Sequence, residues 1–201
     1  MKKQWLTKSV AWVSLILLMS VTEAFAGPRD HDGGFFLRLS GGLGTAQSEF
    51  GDLDLKLSGL TGDFDIAIGG VVAPNLALHG TVFGWSATNP DAEVDGMSGE
   101  LDGSVTVSSI GGGVTYYFMP ANIYVSGSAG IAKLSVETEW GVGETDFGPS
   151  FGITLGKEWW VGSSWGLGIA GAAGYHSVPE KDIEGNWSGF NLAVRFTATL
   201  N

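Results

Sequence analysis

The chain has 201 residues, of which 44% are hydrophobic and 11% aromatic, and it carries 21 Asp and Glu against 10 Lys and Arg, a net charge of −11. This composition is too apolar for a disordered chain and too acidic to favour the backbone of a nucleic acid as a partner. Because cysteine is absent, a disulfide framework and thiolate metal sites are excluded.

The N-terminal segment 1–26 has the pattern of a secretory signal peptide. A lysine-containing start precedes an apolar run over 10–21, which is shorter than the roughly 20 residues that a membrane-spanning helix needs. Ala-Phe-Ala at 24–26 is a cleavage pattern. We therefore predict a cleaved signal peptide and a single exported domain over 27–201; the alternative is an uncleaved anchor helix.

The first predicted strands alternate between an apolar face and a polar or small face, with the period of two that marks a β-strand. Their apolar faces are Phe35, Leu37 and Leu39; Phe64, Ile66, Ile68, Gly70 and Val72; and Leu76, Leu78, Gly80 and Val82. Their opposite faces are Phe36, Arg38 and Ser40; Asp63, Asp65, Ala67, Gly69 and Val71; and Ala77, His79, Thr81 and Phe83.

The fourth and fifth predicted strands, about 104–118 and 122–136, have less distinct faces. In the fifth strand we expect Ile123, Val125, Ala129 and Ile131 to point outward, which turns Tyr124 inward.

The last three predicted strands have the clearest alternation. Their apolar faces are Phe151, Ile153, Leu155 and Trp159; Trp165, Leu167, Ile169, Gly171, Ala173 and Tyr175; and Phe190, Leu192, Val194, Phe196, Ala198 and Leu200. Trp165 and Tyr175 lie roughly 33 Å apart along a strand, which at a tilt of about 40° spans roughly 25 Å, the height of a lipid-facing band. We therefore predict that Trp159, Trp165 and Tyr175 lie at membrane interfaces.

The connections between the strands are alternately short and long. Short uncharged turns are predicted at 73–75, 119–122 and 161–164. Long acidic, glycine-rich loops are predicted over 44–62, 87–103, 137–149 and 177–187. This arrangement predicts eight antiparallel strands in an up-and-down meander, with the short turns at one end.

Taken with the signal peptide and the alternating strands, the C-terminal strand FNLAVRFTATL resembles the small outer-membrane barrels of Gram-negative bacteria, the OmpA/OmpX/OmpW-like group. GGGVTYYFMPANIYVSGSAGIA and LGKEWWVGSSWGLGIAG resemble central hairpins of such barrels. The resemblance covers essentially all of 27–201. One departure is the ending Leu200-Asn201, where the final strand of the group usually ends in an aromatic residue.

This resemblance implies an all-β, eight-stranded antiparallel up-and-down transmembrane barrel in the outer membrane. It also implies outer-membrane lipids and lipopolysaccharide as partners, and the barrel assembly machinery as a partner during biogenesis. The competing architecture is a secreted soluble sandwich or lipocalin-like barrel, in which the apolar faces would pack a core.

Charged residues on the polar faces predict a network inside the barrel. Its members are Arg38, Asp65, His79, Glu158 and Arg195, with Asp63 beside them. An eight-stranded barrel is just wide enough for side chains, and unpaired charges there would be costly, so we expect these groups to pair and fill the lumen. A proton or ion path is the functional alternative.

GLGIAG at 166–171 matches the glycine fingerprint of dinucleotide-binding loops. The fingerprint requires a helix that opens at its third glycine, whereas the alternation here continues into AAGYHSVP and a proline loop. We therefore expect a strand and no nucleotide or other cofactor.

Two further motifs carry weaker hypotheses. DAEVDGMSGELD at 91–102 places Asp91, Glu93, Asp95 and Asp102 at ligand positions of a calcium loop, but Glu at the third position, Asp at the twelfth and missing flanking helices depart from the template. A solvated acidic loop is the expectation, and weak external Ca²⁺ binding is the alternative.

The second motif combines His176, Ser177 and Glu180 or Glu184, which lie where some small barrels act on lipid A. Because His176 and Ser177 are adjacent on a strand, they point to opposite faces. We therefore expect a non-enzymatic barrel with a structural, surface-interaction or envelope-integrity role. A narrow channel or carrier of small hydrophobic molecules is the first alternative, and a lipid A hydrolase is the second.

Overall fold

The computed structural model describes residues 30–32, 34–51, 54–181 and 184–201, so the predicted signal peptide lies outside the described residues. These residues form β1 (Gly34–Phe50), β2 (Leu55–Ala73), β3 (Leu76–Thr88), β4 (Asp91–Val94), β5 (Met97–Glu100), β6 (Gly103–Phe118), β7 (Ile123–Thr138), β8 (Gly141–Glu144), β9 (Gly148–Val161), β10 (Trp165–Pro179) and β11 (Asn186–Leu200). Within the described residues no helix is long and apolar enough to cross a membrane.

Eight long strands close into a barrel. Their order is β1-β11-β10-β9-β7-β6-β3-β2, and β2 pairs again with β1. Every neighbouring pair is antiparallel. The predicted all-β, eight-stranded antiparallel up-and-down barrel is therefore confirmed.

The burial of side chains follows the strand alternation. In β11, Phe190, Leu192, Val194 and Phe196 point out and are 56–78% exposed, whereas Asn191, Ala193 and Arg195 between them are buried. A soluble barrel with an apolar core would show the reverse exposure. The apolar faces therefore form a belt around the outside of the barrel.

The two ends of the barrel differ. At one end, here called the turn end, short turns join β2 to β3, β6 to β7 and β9 to β10. At the other, here called the hairpin end, β4 and β5 form a hairpin, and β8 pairs with the extended end of β7.

The prediction of long loops was wrong at the hairpin end. Most of 44–62 is strand, because β1 and β2 stay paired up to Phe50 and Leu55. The outward side chains nearest the tip are polar, among them Gln47, Glu49 and Lys56, so the apolar outward face that marks the strands of the belt is missing there. The acidic, glycine-rich composition of this segment therefore resembled a loop.

Candidate functional site

The lumen at the hairpin end is closed by apolar side chains, here called the apolar plug. Its buried members are Ala46, Phe50, Leu57, Trp85, Ala87, Val105, Val107, Ala132, Leu134, Val178 and Trp187. The rings of Phe50 and Trp187 lie 5.4 Å apart at the top of this cluster. All of these residues point into the lumen. Because side chains alternate along a strand, the same strands direct their other side chains outward to the belt.

Below the apolar plug lies a group of buried charges, here called the ionic layer, which centres on Arg195. Its guanidinium forms an ion pair with Asp63 through Nε and lies 3.4 Å from Asp65 Oδ2 through Nη1. The same Nη1 lies 3.4 Å from Thr154 Oγ1. Asn191 donates a 2.8 Å hydrogen bond to the second oxygen of Asp63. One arginine thus holds two carboxylates from β2 across the lumen.

Arg38 extends the ionic layer toward the turn end. Its Nη2 lies 3.9 Å from Asp65 Oδ2 and donates a 3.0 Å hydrogen bond to Ser126, while Nη1 donates a 3.1 Å bond to Thr115. His79 Nε2 lies 3.0 Å from the same Thr115 oxygen. The structure therefore places Arg38, Asp65 and Arg195 in one cluster and joins His79 to it through a hydroxyl.

Glu158 is held separately from the ion pairs. Its Oε1 accepts hydrogen bonds from Thr197 at 3.1 Å and from Thr199 at 2.7 Å. Threonine and serine partners were not among the residues that the sequence singled out, because a lone hydroxyl carries no signal. Their inward position in the alternation is the one clue to this role.

The mouth at the turn end is closed by the segment that precedes β1. The His31 ring lies 3.8 Å from the Tyr117 ring, and its nitrogens lie 3.0 Å from Asn201 Oδ1 and 3.1 Å from Asn122 Oδ1. Asn75 is bonded to the His31 backbone twice: its backbone nitrogen donates to the His31 carbonyl at 2.9 Å, and its side-chain Oδ1 accepts from the His31 nitrogen at 2.8 Å. The His31 side chain is fully buried by these contacts.

Inward-facing glycines make room for large neighbouring side chains. A Cβ on Gly156 would lie 2.5 Å from the Tyr124 ring, and one on Gly168 would lie 2.7 Å from Glu158 Cγ. Gly156 therefore serves as a socket for the Tyr124 ring, whereas at Gly168 the Lys157 carbonyl oxygen would lie closer to a Cβ than the Glu158 side chain does. GLGIAG lies within the strand β10, where Gly168 faces the lumen and Gly171 faces outward. The motif is therefore part of a strand, as the sequence predicted, and its third glycine is followed by further strand rather than by a helix.

Little space remains inside the barrel. A cavity of about 20 Å³ lies beside the ionic layer, lined by residues that include Phe83, Gly152, Gly174 and Arg195. That volume accommodates about one water molecule. The apolar plug, the ionic layer and the turn-end mouth thus fill successive levels of the lumen.

The three predicted interface residues, Tyr175, Trp159 and Trp165, lie near the two edges of the belt. Tyr175 is 47% exposed and is paired in register with Phe151 on β9 and Phe190 on β11, which makes a continuous aromatic row toward the hairpin end. Trp159 and Trp165 are both 38% exposed and lie at the turn end of β9 and β10. This is the placement that interfacial anchoring of the barrel requires.

The segment 91–102 is not a wrapped loop. Asp91 and Glu93 lie on β4, Asp95 begins the tight turn before β5, and Asp102 follows β5. Within the ranges that the structure covers, no group of three or more His, Asp or Glu side chains is placed to hold a metal ion. The hairpin spreads these four carboxylates along its length rather than around one point.

His176 contacts a serine that the sequence did not single out. Its Nε2 lies 2.8 Å from Ser48 Oγ, and its ring lies 5.9 Å from that of Trp85. Ser177 points away and accepts a hydrogen bond from Ser188, and Glu180 accepts one from Trp187 Nε1. Ser48 is fully buried and His176 is 2% exposed, so the pair is closed off from solvent.

A closed antiparallel barrel of eight strands, apolar outside and filled with side chains inside, is the architecture of the small outer-membrane barrels. Solved structures with this fold match the chain. Neisserial surface protein A matches with a TM-score of 0.54 at 11% identity over 82% of this chain and 97% of that one.

The outer-membrane protein OprG from Pseudomonas aeruginosa matches with a TM-score of 0.49 at 13% identity, over 85% and 98% of the two chains. The outer membrane protease OmpT from Escherichia coli matches with a TM-score of 0.41 at 9% identity, over 90% and 99%. No family model matches the chain, and no curated protein matches it.

Proposed function

We propose that this protein is a non-enzymatic, non-conducting barrel of the outer membrane that presents its acidic hairpins outside the cell in a structural, surface-interaction or envelope-integrity role. The apolar belt and its aromatic edges support insertion in a membrane. The orientation follows from the usual placement of short turns on the periplasmic side.

The filled lumen is the observation that carries this proposal. An apolar plug, an ionic layer and a closed mouth follow one another, and the internal cavity beside the ionic layer measures only about 20 Å³. Permeation of hydrated ions would require all three to rearrange. The burial of Ser48 and His176 argues against hydrolysis, because a nucleophile must reach its substrate.

Planar-bilayer recording tests the closed lumen. Purified protein, folded as judged by heat-modifiable gel mobility and incorporated from vesicles with which it co-floats, should give no conductance steps in 1 M KCl. A matched reconstitution of a known open porin controls for bilayer quality. Regular conductance steps from the wild-type protein would overturn the proposal in favour of a channel.

A break in the barrel wall favours a second candidate, a carrier of small hydrophobic molecules. β2 pairs with β3 only as far as Gly62, and from Ser58 outward it pairs with β4. Gly59, Leu60 and Thr61 between them lack a ladder partner on that side, and the Thr61 hydroxyl is buried without a hydrogen bond.

This break, here called the β2–β3 seam, lies between the apolar plug and the outer surface of the barrel. Inside it lie Trp85, Ala87 and Val105 of the apolar plug. Outside it, a groove of about 420 Å³ extends from β2 over β1 to β11, and its lining includes Leu60 and Phe190 as well as the polar Gln47 and Asp91. A small apolar solute could pass through the seam between the membrane and the lumen while the ionic layer stays closed.

A further inference from the structure

Two lysines meet at one carboxylate on the outward surface of the hairpin end. Lys133 Nζ lies 3.1 Å from Glu144 Oε2, and Lys181 Nζ lies 3.7 Å from the same oxygen. All three side chains are 30–46% exposed. Both ammonium groups can therefore reach a single anionic oxygen without entering the protein.

The pair lies at the height of a lipid headgroup. Lys133 follows Ala129 and Ile131 on the outward face of β7, and Ala129 is paired with Phe151 of the aromatic row. Lys133 lies about 13 Å beyond Ala129 along the strand, or about 10 Å above the edge of the belt at a tilt of about 40°. Its Nζ also lies 4.8 Å from the centre of the exposed Phe147 ring.

The surrounding charge makes this position distinctive. In the segments 47–58, 89–102, 133–147 and 179–185, every charged residue other than Lys56, Lys133 and Lys181 is Asp or Glu. Lys56 stands apart, 3.8 Å from Glu49. An anionic headgroup would be repelled around most of the rim and attracted where the two lysines converge.

We propose that Lys133 and Lys181 bind a phosphate group of an anionic glycolipid in the outer leaflet, and that Glu144 is the intramolecular carboxylate with which this phosphate competes. The inference rests on the proposed function, since it requires the barrel to lie in the outer membrane. A phosphate oxygen would take the place of Glu144 Oε2, which accepts a 3.1 Å hydrogen bond from Lys133 and lies 3.7 Å from the Lys181 ammonium group. The hydrogen bond from Lys133 and the charges of both lysines lower the pKa of Glu144, which reflects the positive potential there.

Titration of the full chain with lipid A tests this site. The protein, in an uncharged detergent with EDTA present, is titrated with bisphosphorylated lipid A and with its dephosphorylated form, and bound lipid is counted by native mass spectrometry. The Lys133→Gln, Lys181→Gln double variant should bind bisphosphorylated lipid A about tenfold more weakly. Lys56→Gln is the matched control and should bind as the wild type does.

Glu144→Gln separates a lipid site from a merely structural ion cluster. Removal of the competing carboxylate should strengthen lipid A binding several-fold, whereas a structural cluster predicts no gain. Inorganic phosphate at 10 mM should not displace the lipid, because the acyl chains add apolar contact with the belt. Displacement by inorganic phosphate would point to a free-anion site instead.

Three further results would overturn the site: equal binding of the dephosphorylated lipid, wild-type binding by the double lysine variant, or loss of binding in EDTA, which indicates cation bridging through the acidic rim. The conductance experiment is independent of this titration. If the wild-type barrel does not conduct but the double lysine variant binds lipid A as the wild type does, only the lipid site is contradicted. If the wild-type barrel conducts but the lysine variant binds lipid A more weakly, only the proposed function is contradicted.

Discussion

Arg195 shows how a single residue organises the lumen. It lies between Asp63 and Asp65, is 6% exposed, and is within 3.4 Å of Thr154 Oγ1. Removal of one partner from a buried ion pair leaves an uncompensated charge, which costs far more than the net contribution of the pair. Asp63 therefore depends on this one guanidinium, whereas Asp65 also lies 3.9 Å from Arg38.

We expect Arg195→Gln to destabilise the barrel by about 3–5 kcal/mol, because Asp63 and Asp65 are left without their shared cation. Adding Asp63→Asn should restore part of that loss, since one buried charge is then removed. Urea unfolding in lipid vesicles, followed by tryptophan fluorescence, measures both variants against Lys56→Gln, an exposed control. A double variant no more stable than the single one would contradict this account of the ionic layer.

The sequence predicted the inward charges but not their connections. Arg38, Asp65, His79, Glu158 and Arg195 are identifiable because charges are rare on these strands and occur at inward positions of the alternation. Which of them touch depends on the stagger between strands, which a single sequence does not specify. The hydroxyl links and the contact between Ser48 and His176 follow from that stagger.

At the scale of elements, β2 changes its partner along one edge, from β3 to β4, as β7 does from β9 to β8. The pairing of β2 with β3 ends at Gly62 and its pairing with β4 begins at Ser58. The β2–β3 seam therefore lies beside the end of β3 and the residues Asn89 and Pro90 that connect β3 to β4. Proline cannot donate a ladder hydrogen bond, which is consistent with a break at this point. The alternation predicted the strand faces well, but partner exchange between strands leaves no trace in it.

A disulfide across the seam tests the carrier hypothesis. A Cβ on Gly59 would lie 3.5 Å from Pro90 Cβ, close to the separation that a disulfide needs, and the natural chain has no cysteine. If apolar solutes pass here, cells that express the Gly59→Cys, Pro90→Cys variant should take up radiolabelled octane at least several-fold more slowly when the disulfide is formed than when it is reduced. Wild-type cells under the same two conditions are the control, and equal uptake by the variant in both states would exclude this route.

At the scale of the whole molecule, closure of the lumen is redundant. The apolar plug, the ionic layer and the turn-end mouth use different chemistry at different heights: aromatic packing, ion pairs, and a stacked histidine with amide partners. The overall architecture was predictable because alternation, girdle spacing and alternating connection lengths all indicate one barrel. The extent of the strands at the hairpin end was not, because the outward face becomes polar there and the few inward apolar residues, such as Phe50 and Leu57, do not by themselves show the period.

Redundancy predicts the conductance of layer variants. Three variants each remove one layer and should remain non-conducting in planar bilayers, because the other two layers persist. They are Trp85→Ala with Trp187→Ala for the apolar plug, Arg195→Gln with Asp63→Asn for the ionic layer, and His31→Ala for the turn-end mouth. The combined variant should conduct. Conductance from a single-layer variant would show that this layer alone seals the barrel. Heat-modifiable gel mobility confirms that each variant is folded before it is recorded.

The turn-end mouth also has a consequence for the order of folding. His31 joins Asn122, which lies between β6 and β7, to Asn201, which follows β11, and Asn201 donates to the Phe35 carbonyl at the start of β1. The contacts of Asn201 require that β1 and β11 are paired, whereas those of His31 with Tyr117 and Asn122 do not. We therefore expect the complete mouth to form only after the first and last strands have paired, so its formation would report closure of the barrel.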